Sequence, residues 1–188
     1  PLSSSAASDV YKRQVQDAPL SGVDLPVPLL IKMAKEIETV KCFKIECAQA
    51  ASKLRKLVVE GGDAIEGPFD GEEGITLFAD LEAGATGNMS SAMIPDLIKP
   101  VVLDYLAGEF DKSEDKYNNI LPVINYENRQ CGFRATKVIM KEGGVINSDF
   151  CRHPILPLEE QTKAGLIKLI KKYDPIALSW GKWNLKYL

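Results

Sequence analysis

The chain has 188 residues, of which 45% are hydrophobic and 26% are charged, a composition typical of a folded protein with a buried core. Its formal net charge is -3, and its 23 basic residues are dispersed among 26 acidic ones. This balance excludes the basic surface expected of a protein that binds nucleic acid or an anionic membrane. No apolar run approaches the ~18 residues of a membrane span, so we expect a cytoplasmic protein.

The cysteine pattern does not indicate a metal site. The four cysteines, Cys42, Cys47, Cys131 and Cys151, lack CxxC spacing, and His153 is the single histidine of the sequence. These residues do not match a zinc framework. We therefore expect free thiols and no bound metal.

The first 14 residues, PLSSSAASDVYKRQ, are low in complexity and carry no apolar period. They end in DVYKRQ, which resembles the translation of an adapter used in sequencing libraries. We expect residues 1–14 to be a non-native segment and exclude them from the fold prediction.

Residues 15–94 carry alternating helix and strand patterns. The predicted elements, in chain order, are a helix over Pro26–Glu38, a strand over Val40–Cys47, a helix over Gln49–Glu60, a strand over Asp63–Glu66, a helix capped by Asp70, and a strand over Thr86–Ala92. The predicted strands start roughly every 22 residues, a strand and helix repeat that forces parallel pairing with right-handed crossovers. The predicted fold class is therefore parallel α/β.

After Pro95 the pattern predicts helices only. They cover about 95–107, 110–129 with a break or kink at Pro122, 133–142 and 158–173. No low-complexity linker separates residues 15–94 from residues 95–188. We therefore expect the helical part to pack on the α/β part as one unit.

Lys44 and Glu46 are the strongest candidates for chemistry. On a strand they share one face, while Phe43 and Ile45 belong to the more apolar face that would meet the helices. Partial desolvation favours the neutral amine of a lysine, which can attack a ketone, and a neighbouring carboxylate can move the protons that imine chemistry requires. The pattern alone is also compatible with an interior Lys–Glu ion pair or a solvated strand face.

The sequence around Lys44 also resembles a known family. VKCFKIECAQAASKLRKL resembles the sixth-strand motif of the dihydrodipicolinate synthase and N-acetylneuraminate lyase superfamily, whose lysine forms the imine. Lys44 stands at that position. The resemblance extends over about residues 15–178 and implies the C-terminal half, about strands five to eight, of a (β/α)8 barrel with a C-terminal helical extension.

Other segments resemble the same superfamily and imply substrate-binding residues. Gln16, in QDAP, stands where the family usually has a tyrosine that shuttles protons. Gly67, in EGP, stands at the seventh-strand glycine turn beside the substrate carboxylate. GATGNMSSAMIP resembles the eighth strand, with Met89 lining the keto-acid pocket and Ser90 beside it. Candidate partners for substrate hydroxyls are Ser90, Ser91, Thr86 and Gln16, although such residues also act as caps.

Five segments most resemble the L-2-keto-3-deoxyarabonate dehydratases of that superfamily: VQDAPLSGV, FKIEC, EGPFDGEE, ENRQCGFRA and SDFCRHP. The resemblance implies conversion of this small 2-keto-3-deoxy sugar acid to 2,5-dioxopentanoate and water. It also implies a homo-oligomer, a tetramer by family analogy, and a reaction that needs no cofactor. An aldolase or synthase of the superfamily, and a non-catalytic α/β scaffold, remain alternatives.

The length has one further consequence. A complete (β/α)8 barrel needs roughly 250 residues, so we expect half of the barrel to be missing from this chain. A half-barrel exposes strand edges and inward-facing side chains. We therefore expect the fragment to be inactive by itself.

Overall fold

The computed structural model of the chain describes residues 12–184. The chain divides into two compact units, and the division falls between Met89 and Ser90. Residues 1–11 of the segment predicted to be non-native lie outside the described residues, whereas Arg13 and Gln14 belong to the first strand. No helix in the described range is long and apolar enough to cross a membrane.

The first unit contains a four-stranded parallel sheet whose strands neighbour one another in sequence order. The strands are β1 (Arg13–Asp17), β2 (Val40–Ile45), β3 (Pro68–Asp70) and β4 (Gly87–Asn88). The helices are α1 (Val27–Glu36), α2 (Ala50–Gly61) and α3 (Leu77–Glu82). The prediction of a parallel α/β fold is confirmed.

One face of the sheet packs on the helices. Phe43 and Ile45 are fully buried in the same hydrophobic cluster as Leu30 of α1 and Leu54 of α2. Because side chains alternate along a strand, Lys44 faces the opposite side of the sheet. The alternation predicted for Phe43, Lys44 and Ile45 is therefore confirmed, whereas Val40, expected on the face of Lys44, lies in the core cluster.

The third strand begins later than predicted. The strand expected over Asp63–Glu66 is wrong, because residues 62–64 form a short 3-10 turn and β3 begins at Pro68. Ile65, which suggested the strand, instead packs against the helical side of the core. Pro68 is compatible with β3 because the first residue of a strand need not donate a ladder hydrogen bond.

The helix cap predicted at Asp70 is also wrong. Asp70 is the buried last residue of β3, and its Oδ1 accepts a hydrogen bond from the Glu72 backbone N–H at 3.1 Å, while α3 begins only at Leu77. The strand predicted over Thr86–Ala92 is reduced to Gly87–Asn88, although Met89 N–H still donates to the Asp70 carbonyl at 2.9 Å. Both corrections follow from the late start of β3.

The second unit contains helices, as predicted from the sequence. The helices are α4 (Pro95–Leu106), α5 (Phe110–Tyr126), α6 (Arg134–Glu142), α7 (Glu160–Ile170) and α8 (Trp180–Asn184). Of the break or kink predicted at Pro122, the break is wrong, because α5 runs through this residue and continues into a π-helical turn, Glu127–Cys131. α6 ends at Gly143, where a Cβ would lie 1.8 Å from the Ala177 carbonyl oxygen.

Candidate active site

Lys44 and Glu46 lie at the carboxyl end of β2, on the face turned away from the helical core. Lys44 Nζ is 2.8 Å from Glu46 Oε2, and the two side chains are 14% and 24% exposed. The Glu46 backbone N–H donates to the Asp17 carbonyl at 2.9 Å, which fixes the residue just beyond the end of β2. The structure therefore brings together a partly desolvated amine and a carboxylate able to exchange protons with it.

Gln16 of β1 joins this pair. In the parallel register it is the neighbour of Lys44, so both side chains lie on the same face. Its amide Nε2 donates a hydrogen bond of 2.5 Å to Glu46 Oε2, the same oxygen that contacts Lys44. Three of the residues predicted from the sequence thus form one hydrogen-bonded cluster.

Gly71, which the sequence analysis did not select, is the glycine in contact with this cluster. Its backbone N–H donates to the Ile45 carbonyl at 2.9 Å, which extends the β2–β3 ladder by one residue. A Cβ at this position would lie 2.9 Å from both Lys44 Cγ and Glu46 Cβ. No side chain fits there without displacing the pair.

Gly67, the glycine predicted to bind substrate, lies at the other end of β3. It precedes Pro68, which pairs with Phe43, so it lies towards the amino end of the sheet relative to Lys44. A Cβ on Gly67 would lie 3.0 Å from Thr86 Oγ1 and 3.4 Å from the Phe69 ring. The structure therefore associates Gly67 with Phe69 and separates it from the carboxyl end where Glu46 lies.

Phe69 is a second residue that the sequence analysis missed. It is the register partner of Lys44 on β3 and of Gly87 on β4, and so shares the face of Lys44. A Cβ on Gly87 would lie 2.9 Å from the Phe69 ring. Gly67 and Gly87 together form a notch that accommodates the ring, which gives this face an apolar surface at the level of Lys44.

The remaining predicted site residues flank β4, with Met89, Ser90 and Ser91 after the strand and Thr86 before it. Met89 is half-buried directly after β4, and its backbone is held to Asp70 as described above. Ser90 is half-buried and is the first residue of the second unit. Thr86 precedes β4, with its hydroxyl 3.5 Å from the Pro68 carbonyl, and Ser91 Oγ accepts from the Met93 N–H at 3.4 Å.

A model of the dihydrodipicolinate synthetase family matches residues 13–173, most of the chain. The chain belongs to the dihydrodipicolinate synthetase family. It is 51% identical over 167 residues to an L-2-keto-3-deoxyarabonate dehydratase of Azospirillum brasilense, and the match covers 89% of this chain and 54% of that protein. The chain thus spans about half the length of this relative.

Solved structures of the family show the same fold. Dihydrodipicolinate synthase of Rhodopseudomonas palustris is 23% identical with a TM-score of 0.77, over 91% of this chain and 58% of that one. The enzyme of Aquifex aeolicus is 19% identical with a TM-score of 0.78, over 87% of this chain and 55% of that one. The α/β architecture of this chain is therefore that of the family's TIM barrel.

Behind the sheet, this family member carries a pair of buried acids. Asp70 of β3 and Asp80 of α3 are both fully buried, and the two carboxyl groups influence each other electrostatically. Burial and the neighbouring Asp80 carboxyl raise the pKa of Asp70 to about 7, and burial also raises the pKa of Asp80. Thr76 donates to Asp80 at 2.7 Å, and Asn88 donates to Asp70.

A second buried acid lies behind β1. Asp17 is fully buried, and its Oδ2 lies 2.6 Å from Lys53 Nζ of α2. Lys53 also contacts the exposed Asp24 at 2.9 Å, and its two carboxylate partners raise its pKa against the effect of desolvation. This ion pair links α2 to the end of β1 and is separate from the Lys44–Glu46 pair.

Proposed function

We propose that the full-length protein carrying this chain is a Schiff-base dehydratase that converts L-2-keto-3-deoxyarabonate to 2,5-dioxopentanoate and water. The observation that carries the proposal is the Lys44–Glu46 pair, 2.8 Å apart on the face of the sheet away from the core. The 51% identity to an L-2-keto-3-deoxyarabonate dehydratase supports the choice of substrate.

The first half of the proposed reaction forms an imine. The neutral amine of Lys44 attacks the C2 keto carbon, and water leaves as the carbon–nitrogen double bond forms. The protonated imine withdraws electrons from C2 and so acidifies the C3 methylene. Glu46 takes a proton from C3 directly or through a water molecule, which gives the enamine.

The second half removes water and restores the lysine. The enamine electrons expel the C4 hydroxyl, which leaves as water after it gains a proton from Glu46 or another group. Loss of one proton from C5 and one from its hydroxyl group, with protonation at C3 and at C4, then converts the C5 alcohol to an aldehyde. Hydrolysis of the imine consumes the water released at its formation and frees Lys44.

The geometry refines the proposed substrate contacts. Gly71 takes the place that the sequence analysis gave to Gly67, because Gly71 borders Lys44 and Glu46. Met89 and Ser90 remain proposed pocket residues at the carboxyl end of β4, where active sites of (β/α)8 barrels lie. Phe69 is added as an apolar neighbour at the level of Lys44.

We further propose that this chain supplies the last four strands of an eight-stranded barrel. The four parallel strands in sequence order and the coverage of 54% of the dehydratase support this assignment. Residues that hold the substrate carboxylate then come from the other half. For this reason we expect residues 15–188 alone to be inactive. We also expect the full-length enzyme to be a cytoplasmic homo-oligomer, by analogy with the family.

The test uses the full-length protein, L-2-keto-3-deoxyarabonate and borohydride. Reduction during turnover followed by peptide mass spectrometry should find the adduct on Lys44, and Lys44→Met should abolish both adduct and product. Formation of 2,5-dioxopentanoate supports the dehydratase, whereas release of pyruvate by carbon–carbon cleavage would make the protein an aldolase of the same family. An unmodified Lys44 would exclude Schiff-base catalysis and favour a scaffold.

A further inference from the structure

The hydrogen bond from Gln16 to Glu46 has no part in the mechanism described above. Gln16 Nε2 and Lys44 Nζ both contact Oε2 of Glu46, at 2.5 Å and 2.8 Å. Among the described residues, the structure records no hydrogen bond to the other carboxylate oxygen, Oε1. The two donors therefore occupy one oxygen and leave the other able to accept a proton.

We propose that Gln16 is a positioning residue that holds the Glu46 carboxylate so that Oε1 faces the carbon to be deprotonated. This inference rests on the proposed function. It assigns Gln16 a hydrogen bond to the base rather than to a hydroxyl of the substrate. The backbone supports the arrangement, since Gln16 and Lys44 are register neighbours and the Glu46 N–H is bonded to the carbonyl of the next β1 residue, Asp17.

The need for this contact arises when the imine forms. As an ammonium group, Lys44 has three N–H bonds with which to hold Glu46, but as a protonated imine it has one. The Lys44–Glu46 contact therefore weakens at the step that requires a well-placed base. The Gln16 amide keeps its two N–H donors throughout, because an amide does not titrate near neutral pH.

The same reasoning explains why an amide suits this position. A phenol or a carboxyl group in the place of Gln16 could itself exchange protons with the substrate. The amide can only donate hydrogen bonds to Glu46 or accept them, so proton transfer is left to the single carboxylate. Gln16 and Glu46 would then act as one unit in which the amide supplies orientation and the carboxylate supplies chemistry.

The experiment separates imine formation from proton abstraction in the full-length protein. Pyruvate, whose methyl group corresponds to C3, is incubated with the protein in D2O. NMR follows replacement of its methyl hydrogens by deuterium, which requires a base to break the C–H bond. Borohydride trapping on Lys44 is measured in parallel. The variants are Gln16→Leu, Glu46→Gln and, as a control of the same type, Gln161→Leu, at an exposed glutamine of α7.

We expect Gln16→Leu to slow deuterium exchange by about 10- to 100-fold, the usual effect of losing a hydrogen bond to a charged group. Trapping on Lys44 should stay within about 3-fold of the unsubstituted protein, a difference near the size of RT. Gln161→Leu should match that protein in both assays, and Glu46→Gln should lose exchange while still being trapped.

Two results would overturn the inference while leaving the proposed function intact. One is normal exchange in Gln16→Leu, and the other is an equal loss of trapping and exchange, which would mean that Gln16 acts on Lys44 or on the fold. Absence of trapping in the unsubstituted protein would instead refute the proposed function itself, and the inference with it.

Discussion

The buried acid pair behind the sheet leads to a prediction for the pH dependence of stability. Asp70 and Asp80 are fully buried, and burial together with the neighbouring Asp80 carboxyl raises the pKa of Asp70. The change to make is Asp80→Asn. The introduced amide carries no charge and can still accept the hydrogen bond from Thr76.

The sign follows from the raised pKa of Asp70, about 7 in the folded protein against 3.8 as its ordinary value. Between about pH 4 and 7 the folded state keeps a proton that the unfolded chain releases, so stability falls as pH rises through this range. A shift of about three pH units corresponds to roughly 4 kcal/mol. The contribution is complete below pH 4 and lost above pH 7.

The assay is urea unfolding followed by circular dichroism between pH 4.5 and 8. The free energy of unfolding of the unsubstituted chain, minus that of Asp80→Asn, should fall over this range by less than about 4 kcal/mol, because burial still raises the pKa of Asp70 in the variant. Asp63→Asn, at an exposed position in the same unit, is the control and should leave the dependence unchanged. Parallel curves for the unsubstituted chain and Asp80→Asn would show that Asp80 does not raise the pKa of Asp70.

Three further predictions concern two tightly packed glycines and one buried thiol. Gly71→Ala should reduce trapping of pyruvate on the active lysine by at least about 10-fold, because the new Cβ would lie 2.9 Å from that lysine's side chain. Gly87→Ala should lower the free energy of unfolding by about 1–3 kcal/mol through overpacking against Phe69. Adding Phe69→Leu should restore part of this loss, whereas additive effects of the two substitutions would show that Gly87 does not make room for the ring. Cys131, whose pKa burial raises to about 11, should be alkylated by iodoacetamide more slowly at pH 8 than the half-buried Cys151.

The placement of Lys44 and Glu46 on one face could be predicted from the sequence because its signal is local. Lys44 and Glu46 alternate with Phe43 and Ile45, and this two-residue period alone assigns the two pairs to opposite faces of a strand. The alternation also identifies the apolar face that meets the helices. The structure agrees with both assignments.

The glycine that borders Lys44 could not be placed in the same way. β3 has three residues, begins with a proline and ends with an aspartate, so it carries none of the usual strand pattern. The prediction therefore took Ile65 as the strand and Gly67 as the turn. Only pairing with β2 shows that the strand ends at Asp70 and that Gly71 borders the lysine.

The burial of Asp70 and Asp80 could not be predicted from the sequence for a different reason. Asp70 and Asp80 each resemble ordinary polar residues at a helix start and on a helix surface, and their burial results from contact between β3 and α3. Yet Asp70 connects the two faces of the sheet, because Gly71 follows it directly and its carbonyl accepts the Met89 N–H. Asp70→Ala should therefore weaken the strand end that places Gly71 against Lys44, and so reduce trapping of pyruvate on that lysine as well as the free energy of unfolding.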